Sequence, residues 1–218
     1  MLKKHIEIMD ELDPSGRVEL LLDEWGTWFD VEPGTNPGHL YQQSTMRDAI
    51  VAALNLNIFN NHADRIPMAN IAQVVNVLQS VVLTEGSKMI KTPTFYVFSM
   101  FKPHQGSTLV ETELEDTFVK HEGGDFAELS VSASVKDNSL TVTLANASLT
   151  NTYRLNTELD DAYACWTGRI LTDNVRAYNS FEKPDEVADT VFHDCVLDDK
   201  SCTIKLPPCS VVTLSFTK

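Results

Sequence analysis

Val18-Glu19-Leu20-Leu21-Leu22-Asp23-Glu24-Trp25-Gly26-Thr27-Trp28-Phe29 is the stretch that decides the fold of the first half. Its apolar start follows a turn signal, Asp13-Pro14-Ser15-Gly16, and runs straight into two carboxylates. A short apolar run bounded in this way reads as a buried strand. Loop signals come next, Glu32-Pro33-Gly34-Thr35-Asn36-Pro37-Gly38. From Leu40 to Asn60 the spacing is helical, with Met46, Ile50, Ala53, Leu54 and Ile58 on one face. Met68 to Val75 predicts a second buried strand. Thr92-Pro93-Thr94 then opens a second helix, Phe95 to Phe101, with Thr92 as N-cap and Pro93 at the first helical position. Strand, helix, strand, helix implies parallel strands. Two such strands neither close a barrel nor complete a doubly wound sheet, so this half needs further α/β structure or another chain.

After His104 the pattern changes. Leu129-Ser130-Val131-Ser132-Ala133-Ser134-Val135 alternates with period two, Lys136-Asp137-Asn138-Ser139 is a turn, and Leu140-Thr141-Val142-Thr143-Leu144 alternates again. These make a hairpin. Tyr163 to Leu171, Thr190 to Leu197, Ser201 to Leu206 and Ser210 to Phe216 continue the rhythm, with Pro207-Pro208 between the last two. Six or more short strands separated by turns read as an antiparallel sandwich. The division expected is an α/β part over 1–104 and an all-β part over 105–218.

Charge narrows the function classes. The chain of 218 residues carries a net charge of -14, from 17 basic and 31 acidic residues, which cannot present the broad basic face that nucleic acid requires. The second half is the more acidic, with 9 basic and 19 acidic residues against 8 and 12 up to His104. Anionic membrane surfaces are disfavoured for the same reason, and no apolar run reaches the ~18 residues of a span. No secretory signal follows the charged start, which points to the cytoplasm. Four cysteines, Cys165, Cys195, Cys202 and Cys209, show no CxxC spacing and read as reduced thiols, not zinc ligands or disulfides. His39, His62, His104, His121 and His193 are scattered, read as surface or loop residues, and give no metal spacing. The acidic stretch Glu111 to Asp116 reads as a solvated edge or linker.

The chemistry concentrates at one strand end. Asp23, Glu24, Trp25 and Trp28 follow the first strand, and in parallel α/β folds the C-terminal edge is where ligands bind. A carboxylate there can act as nucleophile or general acid/base, and tryptophan faces suit sugar rings. The bland reading is a capping acid with core tryptophans. Gln73 is the second candidate. Set among Ile71, Ala72, Val74 and Val75, it must find hydrogen-bond partners if buried, or it can hold a ligand hydroxyl at the same edge. Asn70 and Asn76 carry the same ambiguity.

Several stretches together resemble the C-terminal portion of glycoside hydrolase family 51, the α-L-arabinofuranosidases. They are Leu22-Asp23-Glu24-Trp25 with Trp28, Leu40-Tyr41-Gln42-Gln43, Met46 to Ala53, Met68 to Leu78 and Lys91-Thr92-Pro93-Thr94. Towards the end, Leu171-Thr172, Ala177 to Pro184 and Leu206 to Val212 continue the resemblance. It implies the last βαβα part of a (β/α)8 TIM barrel, strands and helices 7 and 8, followed by a jelly-roll-like antiparallel β-sandwich. It further implies a retaining glycosidase with Glu24 as nucleophile, Gln73 holding arabinose hydroxyls and Trp28 near the leaving group. The family's acid/base lies in an Asn-Glu pair on strand 4, and no Asn-Glu dipeptide occurs here. Family members often have Asn after the Asp-Glu-Trp, where this chain has Gly26.

The expectation is therefore a fragment of an α-L-arabinofuranosidase that acts on arabinan- or arabinoxylan-type saccharides and is inactive by itself. No metal or cofactor is expected, and the intact enzyme is expected to be a homo-oligomer. The competing reading is a non-catalytic carbohydrate-binding or interaction module derived from such an enzyme.

Overall fold

The computed structural model describes residues 2–115, 117–120 and 123–218. His121 and Asp116, read above as a loop histidine and part of an acidic edge, lie outside the described residues. The chain opens with a helix, α1 (Leu2–Leu12), that the sequence pattern did not announce. It is followed by β1 (Leu21–Trp25), α2 (Met46–Asn60) and β2 (Met68–Ile71). A hairpin, β3 (Val82–Glu85) and β4 (Lys88–Lys91), then leads into α3 (Pro93–Phe101). β1 and β2 pair in parallel, as the βαβα order requires, with Leu21 opposite Met68 and Leu22 opposite Ala69.

Neither strand is the buried run expected. β1 begins only at Leu21, β2 stops at Ile71, and Val74 and Val75 are exposed. Leu22, Trp25 and Ala69 turn towards the helices, packing on Ile6, Phe59 and Ile66. Leu21 and Met68 point the other way and are 47% and 43% exposed. Apolar residues on both faces hid this one-sided packing. α2 also starts later than expected, at Met46, because Thr45 and Asp48 form a reciprocal capping box there. Its residue Ile58 is exposed instead of sharing the buried face of Met46, Ile50 and Ala53. α1 is seated by Arg65, a buried guanidinium that pairs with Asp10 at 2.7 Å and Asp13 at 3.3 Å. Arg65 also donates to the carbonyls of Asp13 and Val18, pinning the turn before β1.

The rest is β-structure. Short strands β5 (Thr108–Val110), β6 (Phe118–Val119) and β7 (Phe126–Ala127) precede the expected hairpin of β8 (Leu129–Lys136) and β9 (Ser139–Asn146). Then come β10 (Tyr153–Glu158), β11 (Cys165–Thr172), β12 (Thr190–Val191), β13 (Cys195–Asp198), β14 (Ser201–Leu206) and β15 (Ser210–Thr217). One sheet has the order β12-β11-β15-β9-β8-β5 and a smaller one β10-β14-β13. The run Thr190 to Leu197 is thus two strands, β12 in the large sheet and β13 in the small one. Between the sheets lies an apolar core that includes Leu144, Leu214 and Phe216 from one side and Ile204 and Leu206 from the other.

The large sheet is covered on its other face as well. Side chains alternate along β15: Val212, Leu214 and Phe216 enter the sandwich, whereas Val211 joins a second core with Met46, Ala49, Val97 and Met100 of α2 and α3. Part of this second face is lined with hydroxyls. Asn57 of α2 accepts from Ser132 and Thr143, both at 2.8 Å. His104, just after α3, contacts Ser134 at 2.7 Å and Thr143 at 3.1 Å. Burial pushes the His104 imidazole down to about 4. His104 is accordingly not the loop histidine expected. All four cysteines are unpaired, and only Cys165 is exposed. Among the described residues no helix is long and apolar enough to cross a membrane.

Candidate active site

The parallel pair ends at an irregularity. β1 advances three residues from Leu22 to Trp25 while β2 advances two, from Ala69 to Ile71. An extra residue of this kind re-aims the side chains around it. With plain alternation, the inward series Leu20, Leu22 would continue to position 24. The irregularity instead turns Trp25 inward and leaves both Asp23 and Glu24 exposed. Trp25 stacks on Phe98 at 6.0 Å and meets Phe59 edge-on at 5.2 Å. Its indole N–H is buried and has no hydrogen-bond partner among the described residues. Trp25 is therefore a core residue, and of the two neighbouring tryptophans only Trp28, 67% exposed, offers a free face.

Gln73 is exposed, not the buried amide weighed above. The Ala72 N–H donates to the Trp25 carbonyl, so Gln73 follows directly on the point where the two strand ends meet. Glu24, Trp28 and Gln73 thus belong to one edge, the C-terminal end of the parallel pair. Asn70 is half-buried within β2. Asn76 is a structural amide: it sits at a φ of 58° and ties its loop to Thr84 of β3.

Beneath this edge lies a buried polar frame. Gln79, fully buried, accepts from the Thr27 N–H at 2.8 Å and donates to the Asp48 carbonyl at 2.6 Å and to Thr94 at 3.2 Å. Asp48, also fully buried, accepts from the Thr27 hydroxyl at 2.6 Å while its other oxygen caps α2 through the Thr45 N–H at 2.8 Å. Gln42 donates to the Thr27 hydroxyl at 3.0 Å and accepts from the Phe29 N–H at 2.8 Å. Arg47 contacts Asp48 at 3.1 Å and lies 3.7 Å over the Phe29 ring. Gly26 has a φ of 142°, where only glycine is comfortable. A Cβ there would stand 3.1 Å from the Gln79 amide oxygen and 3.3 Å from the Ala72 carbonyl.

Thr27, Gln42, Asp48 and Gln79 were not singled out from the sequence. One signal was available, since Thr45-x-x-Asp48 is a capping-box spacing that marks Asp48 as half of a helix start. The Gln79 side chain bridges positions 31 and 52 residues away in sequence, which no local pattern reveals. The all-β half also reaches this region. The carbonyls of Val175 and Ala177 accept from the first free N–H groups of α2, those of Arg47 and Met46, both at 2.9 Å. Among the described residues there is no group of three or more side chains placed to hold a metal ion.

Comparison with known proteins finds a group of arabinofuranosidases. Residues 23–210 match the family model described as the alpha-L-arabinofuranosidase C-terminal domain. An intracellular exo-alpha-L-arabinofuranosidase of Bacteroides ovatus is 44% identical over 99% of this chain. An exo-alpha-(1->6)-L-arabinofuranosidase of Bifidobacterium longum is 26% identical over 88% of it. The solved GH51 arabinofuranosidase of Xanthomonas axonopodis pv. citri superposes with a TM-score of 0.95 at 39% identity, over 99% of this chain. The chain spans 43% of the Bacteroides protein's length and 44% of the Xanthomonas chain.

Proposed function

Because the chain belongs to the α-L-arabinofuranosidase C-terminal domain family of the family 51 glycoside hydrolases, we propose that it carries the nucleophile half of a retaining arabinofuranosidase site. Residues 1–104 act as the end of the catalytic barrel and 105–218 as the β-sandwich that supports it. The observation that carries this is the re-aimed strand end, where Glu24, Trp28 and Gln73 are exposed at one edge while Trp25 turns inward, half-buried against Phe59 and Phe98.

Retaining hydrolysis uses two carboxyl groups about 5–5.5 Å apart. Glu24 attacks the anomeric carbon of a non-reducing-end α-L-arabinofuranosyl unit, and the leaving oxygen takes a proton from the second carboxyl. The resulting arabinosyl ester at Glu24 is then opened by water, which that second group activates as base. Gln73 supplies one amide N–H2 and one carbonyl to sugar hydroxyls. Trp28 offers an apolar face to the leaving group. The second carboxyl comes from a segment that these 218 residues do not include, so the site is completed by further polypeptide. The substrate class is arabinan- or arabinoxylan-type saccharide. The cytoplasm is the proposed compartment, by likeness to the Bacteroides relative, whose name carries the word intracellular. The intact enzyme is proposed to be a homo-oligomer.

Release of 4-nitrophenol from its α-L-arabinofuranoside tests this. The chain is assayed alone and mixed with the part of the Bacteroides enzyme that it does not span. The expected result is no release by the chain alone, release from the mixture, and none when the chain carries Glu24→Ala. Equal release from the wild-type and Glu24→Ala mixtures would remove Glu24 from the chemistry. No release from either mixture would favour a non-catalytic binding module.

A further inference from the structure

We propose that Gln79, Asp48 and Gln42 are positioning residues that act through Thr27, fixing the Gly26–Phe29 turn from below and so setting where Glu24 and Trp28 stand. For its consequence in catalysis this rests on Glu24 being the nucleophile; the frame itself does not.

Among the described residues the Gly26–Phe29 segment has no strand partner to order it. β1 ends at Trp25, and beyond it the Thr27 N–H, the Thr27 carbonyl and the Phe29 N–H are each taken by a side chain from elsewhere. Those side chains belong to residues 98% or more buried. They are Gln42, from the loop before α2, and Gln79, from the loop after β2; Asp48, from the first turn of α2, takes the Thr27 hydroxyl. The Thr27 hydroxyl is spoken for on both sides, donating to Asp48 and accepting from Gln42. Each amide is used in both senses, since Gln79 accepts from Thr27 and donates to Asp48, and Gln42 accepts from Phe29 and donates to Thr27. Burying two amides and a carboxylate is costly unless their partners are in place. A network of this kind therefore has one low-energy arrangement. The residues it orders on the outside, Glu24 and Trp28, are the exposed ones. Reacting groups must be held within a fraction of an ångström, and rigid support below the site is how that is achieved.

The pair Thr27→Val and Thr27→Ser separates positioning from folding in the full 218-residue chain. Valine keeps the shape and removes both roles of the hydroxyl, whereas serine keeps them. The chain is labelled with fluorotryptophan for 19F NMR, which reports Trp28 at the edge, Trp25 in the core and Trp166 in the sandwich. Amide hydrogen exchange is read at Thr27 and Phe29. In Thr27→Val the Trp28 resonance is expected to broaden or split, and both amides to exchange about tenfold faster or more, while Trp166 keeps its shift. Thr27→Ser is expected to restore the wild-type pattern. Gln79→Leu, made independently, is expected to free the Thr27 amide in the same way. An unchanged Trp28 signal with unchanged exchange in Thr27→Val and Gln79→Leu would overturn the proposal. So would equal disturbance in Thr27→Ser. Glu24→Ala in the hydrolysis assay tests the nucleophile separately, so one assignment can fail while the other stands.

Discussion

The Thr27 hydroxyl donates to the Asp48 carboxylate across 2.6 Å, joining the turn that follows the first strand to the first turn of α2. The same carboxylate closes the capping box with Thr45. One buried side chain therefore starts a helix and anchors the segment next to Glu24.

Asp48→Ala is expected to destabilise the fold by more than an ordinary capping loss. Removing an N-terminal cap costs about 1 kcal/mol. Here the Thr27 hydroxyl also loses its acceptor in a buried place, which adds about 1–3 kcal/mol. Denaturant titration with circular dichroism measures the sum, and a loss under about 1 kcal/mol would mean that the two roles are not both carried by Asp48.

His104 makes the docking of helices on the sheet sensitive to acid. Unfolded, this imidazole binds a proton near 6.5; folded, burial pushes the value down to about 4. Above 6.5 both states are neutral and its contribution is complete. As pH falls from 6.5 to 4 the unfolded chain gains the proton first, so stability falls across that window. His104→Gln is expected to show a flatter melting temperature between pH 7 and 4.5. Parallel wild-type and variant profiles would show that the imidazole does not titrate this way.

Gly168→Ala is expected to cost about 1–3 kcal/mol through overpacking. An added Cβ would lie 2.8 Å from Leu214 Cδ2 and 3.2 Å from both Phe192 Cβ and the Trp166 ring. Leu214 and Phe192 are buried, which leaves them little room to yield. Calorimetry would register the shift, and an unchanged melting temperature would mean that Leu214 re-packs freely.

A thiol reagent such as DTNB is expected to modify one of the four cysteines in the native chain, Cys165, and all four after denaturation. Burial pushes Cys209 up to about 11, and the hydrogen bond with Cys202 raises Cys195. The reactive species is the thiolate, so both stay inert. Rapid modification of more than one thiol would show that the sandwich opens readily.

Much of this was legible in the sequence because it was local. The hairpin around Asp137-Asn138 follows from turn chemistry, and the helix opens at Pro93 as proline's fixed backbone angle favours, although the Thr92 hydroxyl bonds the Ser80 carbonyl and does not cap the helix. Glu24 and Trp28 stood out as residues at a strand end, and both are exposed there. Gln73 was weighed as a buried amide or a ligand contact and is exposed, while Gln79, the buried amide six residues on, passed unread. Trp25 shows why the strand end was harder. Its inward turn comes from an irregular register that exists only once β1 meets β2. The period-two pattern of β8 and β9 left the face of serines and threonines unassigned, and Ser132, Ser134 and Thr143 are buried under α2 and His104. Period two reveals that a strand has two kinds of face, and not what covers the second.

That hydroxyl-bearing face gives the molecule a seam with two unlike ends. Over β8 and β9 the helices are held by Asn57 and His104, through bonds that water can replace. Over β11 and β15 they rest mainly on Leu171 and Val211, apolar contacts that water cannot replace, with one hydrogen bond from Thr213 to the Met100 carbonyl at 3.2 Å. Amide exchange is accordingly expected to be faster in β8 beside the hydroxyls than in β15 beneath the apolar contacts.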